Sequence, residues 1–315
     1  MAKSVLSAPH FQNEEAAFAY VESKLWPEGP SCPFCGECDH IGELKGKTTR
    51  PGLRKCYSCK KPFTVRIGTI FEGSHLALHL WLQVIHLMCA SKKGVSTRQI
   101  QRMLQCSMKT AWFLTHRIRE AMAPVAGEPP LGGRGKIVEV DETYLLKSKE
   151  KITPKSGGYA HKMKVVSLVE RGGKIRSMRM KDGTKLEMAD VLRANVDPAS
   201  ILHTDGSGLY KGTKLARIHE AVDHNKTYVR PGKAGRKVHT NTLEGFFSVF
   251  KRGMVGTYQH CGEHHLNRYL AEFDFRANHR EKFGIDDVSR AEIALKGFKG
   301  KRLTYETTGG QPALS

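Results

Sequence analysis

No apolar stretch in the sequence reaches the roughly 18 to 20 residues that a membrane-spanning helix requires. The opening "MAKSVLSAPHFQNEEAA" lacks the apolar run of a secretory signal, so the chain is expected to stay in the cytoplasm. Walker and Gly-x-Gly-x-x-Gly phosphate loops are also missing, which leaves nothing to support a P-loop nucleotide hydrolase or a dinucleotide-dependent oxidoreductase, and there is no internal repeat. Negative charge is scarce. The 315 residues hold 31 Asp plus Glu against 51 Lys plus Arg, a formal net charge of +20, and the excess is present in both halves. A pI near 9.7 favours polyanionic partners, and nucleic acids are the abundant ones in a cytosol. Apolar residues are not lacking: at 39% hydrophobic the chain can build ordinary cores, either one large domain or two to three small ones.

Eight cysteines are present, and five of them fall between Cys32 and Cys59. A reducing cytosol keeps thiols free, so clustering of this kind suits a metal better than disulfides. "CPFC" at 32 to 35 and "CYSC" at 56 to 59 are separated by 20 residues, the spacing of a four-cysteine zinc ribbon. Four thiolates from Cys32, Cys35, Cys56 and Cys59 would close a tetrahedral zinc shell with no position left for water, so the site is expected to be structural. Cys38 and His40 are spare donors. Lys45, Lys47, Arg50, Arg54, Lys55, Lys60 and Lys61 surround the knuckles and make the ribbon a candidate DNA contact. His75 and His79 have metal-ligand spacing but no third partner, and are expected on a helix surface.

Residues 13 to 26 read as a helix capped by Asn13 and stopped at Pro27, and an apolar core helix is expected from about His75 to Ser91. Residues 95 to 122 resemble a helix-turn-helix. Ser96 or Thr97 caps a first helix that buries Ile100, Met103 and Leu104; Ser107 caps a second that buries Ala111, Leu114 and Ile118. Arg98, Arg102, Lys109, Arg117 and Arg119 are expected outside, facing DNA. The Pro- and Gly-rich stretch 124–135 is the best domain boundary. Strands are then expected at 136–146, 161–171 and 174–182, the last two joined by a Gly-Gly turn, followed by a helix at about Leu186 to Ala194. Another strand, "SILHTDGSG", follows, and from Asn241 to about Arg280 the sequence reads as mainly helical. The segment after Arg280 reads as a basic, frayed end. The organisation expected is therefore 1–71 (helix and zinc ribbon), 72–123 (helical, DNA-binding), 124–135 (linker), 136–280 (catalytic α/β domain) and 281–315 (tail).

Acidic residues in so basic a chain attract notice. Asp141 in "VEVDETY" and Asp205 in "ILHTDGS" each follow an apolar run that places them at a strand's exit, where active sites gather. In "HTNTLEGFFSVFKRG" (239 to 253), Asn241, Glu244, Ser248 and Lys251 share one helical stripe beside an apolar face of Leu243, Phe246, Phe247, Phe250 and Met254. Glu263 and Glu272 lie farther on, and Glu272 has Arg268 and Arg276 at i ± 4 as ready ion-pair partners. Asp141, Asp205 and Glu244 reproduce the order of carboxylates in a ribonuclease-H-like nuclease.

With "CPFCG", "CYSCK", "VEVDETY", "HTDGSGLY", "HTNTLEGFFSVFKRGMVGTYQH" and "LNRYLAEFDFRANHR", the chain resembles ISXO-like insertion-sequence transposases, a group related to the Merlin transposons, over about residues 14 to 280. The resemblance implies a ribonuclease-H-like mixed α/β sheet with flanking helices, preceded by a zinc ribbon and a helix-turn-helix. It also implies a DDE-type DNA transposase that acts on element terminal repeats and target DNA, in a homo-oligomeric synaptic complex associated with a bacterial nucleoid. Asp141, Asp205 and Glu244 would hold Mg²⁺ or Mn²⁺, with Asn241 as the alternative third ligand, while Lys251 and Arg252 would contact DNA phosphate. The chemistry suits the residues. Two divalent ions about 3.5 to 4 Å apart activate water or a 3′-hydroxyl and stabilise the leaving oxygen, and oxygen ligands suit Mg²⁺. Two other functions fit the same residues less well: a nuclease or resolvase of this fold that cleaves without joining, and a non-catalytic zinc-ribbon transcription regulator.

Overall fold

The computed structural model describes residues 4–124, 127–147, 162–210, 216–224 and 226–301. Along the chain run α1 (Glu14–Leu25), β1 (Ile41–Glu43), β2 (Arg54–Cys56), β3 (Pro62–Phe63), α2 (Leu78–Ala90), α3 (Thr97–Leu104) and α4 (Met108–Met122). There follow β4 (Ile137–Lys147), β5 (Lys162–Glu170), β6 (Ile175–Met180), α5 (Lys185–Asn195), β7 (Ile201–Asp205), β8 (Ile218–Val222), β9 (Arg230–Pro231), β10 (Lys237–Val238), α6 (Asn241–Gly253), α7 (Leu266–Asn278) and α8 (Asp287–Lys296). They form two compact units. One gathers the described residues of Met1–Ser91, Thr97–Met122 and Gly284–Ser315; the other, those of Lys92–Ser96 and Ala123–Phe283. Among the described residues, no helix is long and apolar enough to cross a membrane.

In the first unit, the Asn13 side chain accepts from the Ala16 amide and starts α1 as its cap. β1, β2 and β3 make a small antiparallel sheet. α2 begins at Leu78 rather than at His75, and a side chain from another helix explains why. The Glu14 carboxylate accepts from the Leu78 amide at 2.6 Å and from the His79 amide at 3.2 Å, capping α2 in place of a local residue. Its Oε2 also lies 3.0 Å from His79 Nδ1, so His79 is a hydrogen-bond partner of Glu14 and His75 lies before the helix.

The helix-turn-helix helices form where expected, with Ser107 Oγ accepting from the Thr110 amide. Their faces differ from the expected ones. Arg98, Arg102 and Lys109 are exposed, but Arg117 and Arg119 are buried. Arg117 donates to the Glu72 carbonyl at 2.7 Å and lies over the Phe113 ring, because a long aliphatic stem can cover core while its guanidinium finds a carbonyl. Met103, expected inside, is 51% exposed; on a helix of two turns the buried stripe is narrow and holds Ile100 with Leu104 half-covered. The segment after Arg280 is not frayed where it is described. Asp286 caps α8, and α8 buries Ala294 and Leu295. Arg290 on α8 donates to the Cys89 carbonyl at the end of α2, and Phe298 meets Phe71 at 5.3 Å. The rest of the expected tail, 302–315, lies outside the described residues.

The second unit is built on a five-stranded sheet in the order β6-β5-β4-β7-β8. β4, β5 and β6 are antiparallel neighbours, whereas β4, β7 and β8 run parallel, giving the expected ribonuclease-H-like mixed sheet. Gly172 turns β5 into β6 with φ +80°, a conformation in which glycine escapes the Cβ clash. β5 is buried on both faces, as a central strand is. Its Val165 and Val169 join Leu243, Phe246, Phe247 and Phe250 of α6 and Phe273 of α7 in one core. On the opposite face Val138, Val140, Val166 and Leu168 pack with Met188 and Leu192 of α5. Leu131, within the expected linker, belongs to this second core. The alternation of strand side chains thus assigns α6 and α7 to one face of the sheet and α5 to the other.

Candidate active site and zinc site

Asp141 lies within β4 rather than at its exit, because β4 extends along β5 after its pairing with β7 has ended. The last β4–β7 pair is Val140 with Thr204, so Asp141 and Asp205 follow side by side at the mouth of the parallel pair. Asp141, Asp205 and Glu142 each bring a carboxylate oxygen within 4.8 Å of the others. Burial, then the negative charge of Asp205, with smaller contributions from Glu142 and Glu244, pushes the Asp141 carboxyl up to about 7. Carboxyls brought together against their own repulsion suit a divalent cation. Asp205 Oδ1 accepts from the Ser207 amide at 3.0 Å.

Glu142 is the site residue that the sequence reading passes over. Its neighbours differ from those of the two aspartates: the Tyr210 hydroxyl donates to one oxygen, Ser207 Oγ donates to the other at 3.2 Å, and Lys164 Nζ stands 3.9 Å away. Burial raises the Glu142 carboxyl, partly offset by these contacts. The buried Tyr210 hydroxyl is in turn held well above its ordinary value by burial and by Glu142. The "GLY" of "HTDGSGLY" was the available signal.

Glu244, on α6, stands outside the tight cluster but close enough for its charge to act on Asp141. Its Oε1 lies 3.5 Å from His224 Nδ1, and His224 Nε2 is 3.1 Å from Thr240 Oγ1. Asn241 is the exposed first residue of α6, and Lys251 and Arg252 are exposed on its last turn. Glu263 pairs with Arg179 at 2.9 Å, and buried Glu272 is bound by Arg276 and Tyr258, so both have partners elsewhere.

What seats α6 is a polar row across the sheet, two residues behind the aspartates. Glu139, His203 and Glu220 are consecutive registered partners on β4, β7 and β8. Buried Glu139 accepts from the Thr242 amide at 3.1 Å and the Thr242 hydroxyl at 3.0 Å, placing a carboxylate at the α6 N-terminus. Arg171 Nε donates to the same carboxylate at 2.8 Å. Burial, then the Arg171 charge, lowers His203 to about 4, so it is neutral and can accept from Arg171. The i, i+2 spacing of Glu139 and Asp141 on one strand face was the sequence signal for this anchor. Glu139→Gln is expected to lower stability by about 2 kcal/mol, since the buried ion pair is broken while the amide side chain retains an acceptor. An unchanged urea midpoint would mean that the apolar face of α6 seats it unaided.

The zinc ligands expected from the knuckles converge. Cys32 Sγ lies 3.6 Å from Cys59 Sγ, and Cys35 Sγ 3.7 Å from Cys56 Sγ. These separations are far beyond the roughly 2.05 Å of a disulfide, and they match the edge, about 3.8 Å, of a tetrahedron with Zn–S bonds of about 2.3 Å. All four thiols form one group, from which Cys38 and His40 are absent. The donor set fits structural zinc.

Residues 130–278 match the ISXO2-like transposase domain, and residues 12–62 match the transposase zinc-ribbon domain. The chain carries an ISXO2-like transposase domain behind a transposase zinc ribbon. It is a DNA transposase with a DDE-type nuclease domain. A curated relative, an uncharacterised protein in transposable element ISH50 of Halobacterium salinarum, is 26% identical to the transposase over 283 residues, 84% of this chain and 91% of the relative. Among solved structures, the Mos1 strand transfer complex is similar at 13% identity over 64% of this chain and 70% of that one, with a TM-score of 0.26. A pre-cleavage Mos1 transpososome is similar at 11% identity over 66% and 75%, with a TM-score of 0.23.

Proposed function

We propose that this transposase binds the ends of its element and performs phosphodiester cleavage and strand transfer with two divalent ions, Mg²⁺ or Mn²⁺, held by Asp141, Asp205 and Glu244. The observation that carries the reading is the side-by-side arrival of Asp141 and Asp205 on parallel β4 and β7, with the Asp141 carboxyl pushed up to about 7 by burial and then by the charge of Asp205. When bound, the ions supply Lewis acidity for activating water or a 3′-hydroxyl and for stabilising the leaving oxygen. Asp141 and Asp205 fix the reacting centre on a rigid sheet. Lys251 and Arg252, exposed two turns beyond Glu244, take the DNA phosphates on either side of it. Glu244 is chosen over Glu142 because the Glu142 oxygens already accept from Tyr210 and Ser207, whereas Glu244 has His224 beside it and can turn toward the aspartates. Residues 1–71 and 72–123 would grip element ends through the ribbon lysines with Arg98, Arg102 and Lys109, leaving 136–280 for catalysis. Two ends must be joined in one synapse, so a homo-oligomer acts, at the nucleoid of a bacterial-type cytoplasm.

A regulator without catalysis has no use for half-buried carboxylates crowded together in a basic chain. A resolvase or nuclease is distinguished by failure to join. Glu244→Gln should abolish Mg²⁺-dependent cleavage of element-end DNA while binding persists. Wild-type cleavage by Glu244→Gln together with inactivity of Asn241→Ala would make Asn241 the third ligand.

A further inference from the structure

Neither the thiolate group nor the ribbon's core uses the two aromatic side chains at the knuckle tips. Phe34 lies between Cys32 and Cys35, Tyr57 between Cys56 and Cys59, and the two residues are 46% and 49% exposed. The ribbon does bury rings elsewhere: Phe63 is covered and meets Trp26 edge-on at 5.9 Å. One exposed apolar side chain is ordinary on any surface. Two of them, one inside each of two knuckles drawn together by one group of four thiols, form a pattern.

Each ring also carries a cation. Lys61 Nζ is 4.9 Å from the Phe34 centroid and Lys55 Nζ 5.8 Å from that of Tyr57. Lys61 follows the second knuckle, so the ring of one knuckle is overlaid by a lysine of the other. The Tyr57 ring is seated against β1, where a Cβ on Gly42 would come within 2.8 Å of it, and the Tyr57 amide donates to the His40 carbonyl at 2.9 Å. Glycine at 42 therefore keeps this ring in place.

We propose that Phe34 and Tyr57 form a stacking platform for unpaired DNA bases, with Lys55 and Lys61 taking the adjoining phosphates. The proposal rests on the DNA-transposase reading and names the form of DNA that the ribbon holds. Aromatic faces next to cations match a nucleotide, whose base offers a π-face and whose phosphate offers charge. Paired bases in a duplex hide their faces in the stack and present only edges and phosphates, so the rings have their partner where strands are unpaired. Exposed Lys45, Lys47 and Lys60 add charge complementary to a polyanion.

The test uses the zinc-loaded full chain and two labelled probes, an oligothymidine strand and a blunt duplex of equal length. Phe34→Ala with Tyr57→Ala should weaken oligothymidine binding by about tenfold for each ring, while duplex affinity changes less than about twofold. Leucine at both positions should lose as much as alanine, because it keeps apolar area without a π-face. Phe34→Tyr with Tyr57→Phe should retain wild-type affinity. Zinc content reports ribbon folding, and if the alanine pair loses zinc, the leucine and aromatic exchanges decide. The platform is overturned if the leucine pair binds oligothymidine as tightly as wild type, or if both probes weaken equally. A wild-type chain that binds neither probe would instead defeat the DNA-binding reading on which the platform rests.

Discussion

Asp205→Asn is expected to cleave element-end DNA about a thousandfold more slowly than wild type, while the same DNA is bound with unchanged affinity and salt dependence. Asparagine keeps the shape and the Oδ1 that accepts from the Ser207 amide, so the turn after β7 survives. What is lost is one negative charge from the cation site, and about three orders of magnitude corresponds to roughly 4 kcal/mol of transition-state stabilisation. The substitution should also change how stability depends on pH. The Asp141 carboxyl rises from an ordinary 3.8 to about 7 in the folded protein, first by burial and then by Asp205. The folded state therefore holds a proton that the unfolded state has released between those values, and metal-free stability falls as pH rises through that window. Above pH 7 the Asp141 carboxylate carries its charge beside Asp205, and a bound Mg²⁺ would offset that repulsion. Mg²⁺ should thus raise the melting temperature of wild type more at pH 8 than at pH 6, and Asp205→Asn, with one repelling charge gone, should gain less at both. Equal gains for the two proteins would remove Asp205 from the cation site.

Cys56→Ser with Cys59→Ser should release the zinc and unfold the ribbon while leaving the catalytic sheet intact. Structural zinc supplies apparent binding energies of about 10 to 16 kcal/mol, more than so small a domain can replace by burial. The ribbon's own apolar cluster is slight: Cys32, Cys56 and Phe63, with Trp26, Ile41 and Ile67 partly covered. Cys56 is the last residue of β2, registered with Ile41 of β1, so losing its thiolate loosens the end of the sheet's middle strand. Limited proteolysis should cut between residues 32 and 63 and spare 162–210. A variant that retained one equivalent of zinc would refute the ligand assignment.

Both sites rest on patterns that are local in the sequence, and that is why they could be read there. Paired Cys-x-x-Cys knuckles state their partners by spacing alone, and Asp141 and Asp205 announce themselves as charges ending apolar runs. Glu142 and Glu139 were harder. Strand alternation turns neighbours of Asp141 to the opposite face or one row down, and what they do depends on Tyr210, Ser207, Arg171 and Thr242, which lie between 32 and 103 residues away in sequence. The burial of Arg117 and the position of α8 were hidden for the same reason. A basic residue on a helix reads as solvated until a distant carbonyl such as that of Glu72 is available to it, and a basic C-terminal stretch reads as a tail until Cys89 and Phe71 receive it. The start of α2 likewise depends on Glu14, 64 residues upstream of the amide it caps.

Metal-dependent transposition is tested by a strand-transfer reaction with purified wild-type transposase, DNA carrying the element's own ends and a plasmid target. Joined products are expected only when Mg²⁺ or Mn²⁺ is present, none from Asp141→Asn or Asp205→Asn, with equal end binding by all three proteins. Cleavage that proceeds with chelator present, or wild-type joining by either asparagine variant, would contradict metal-dependent transposition through these aspartates.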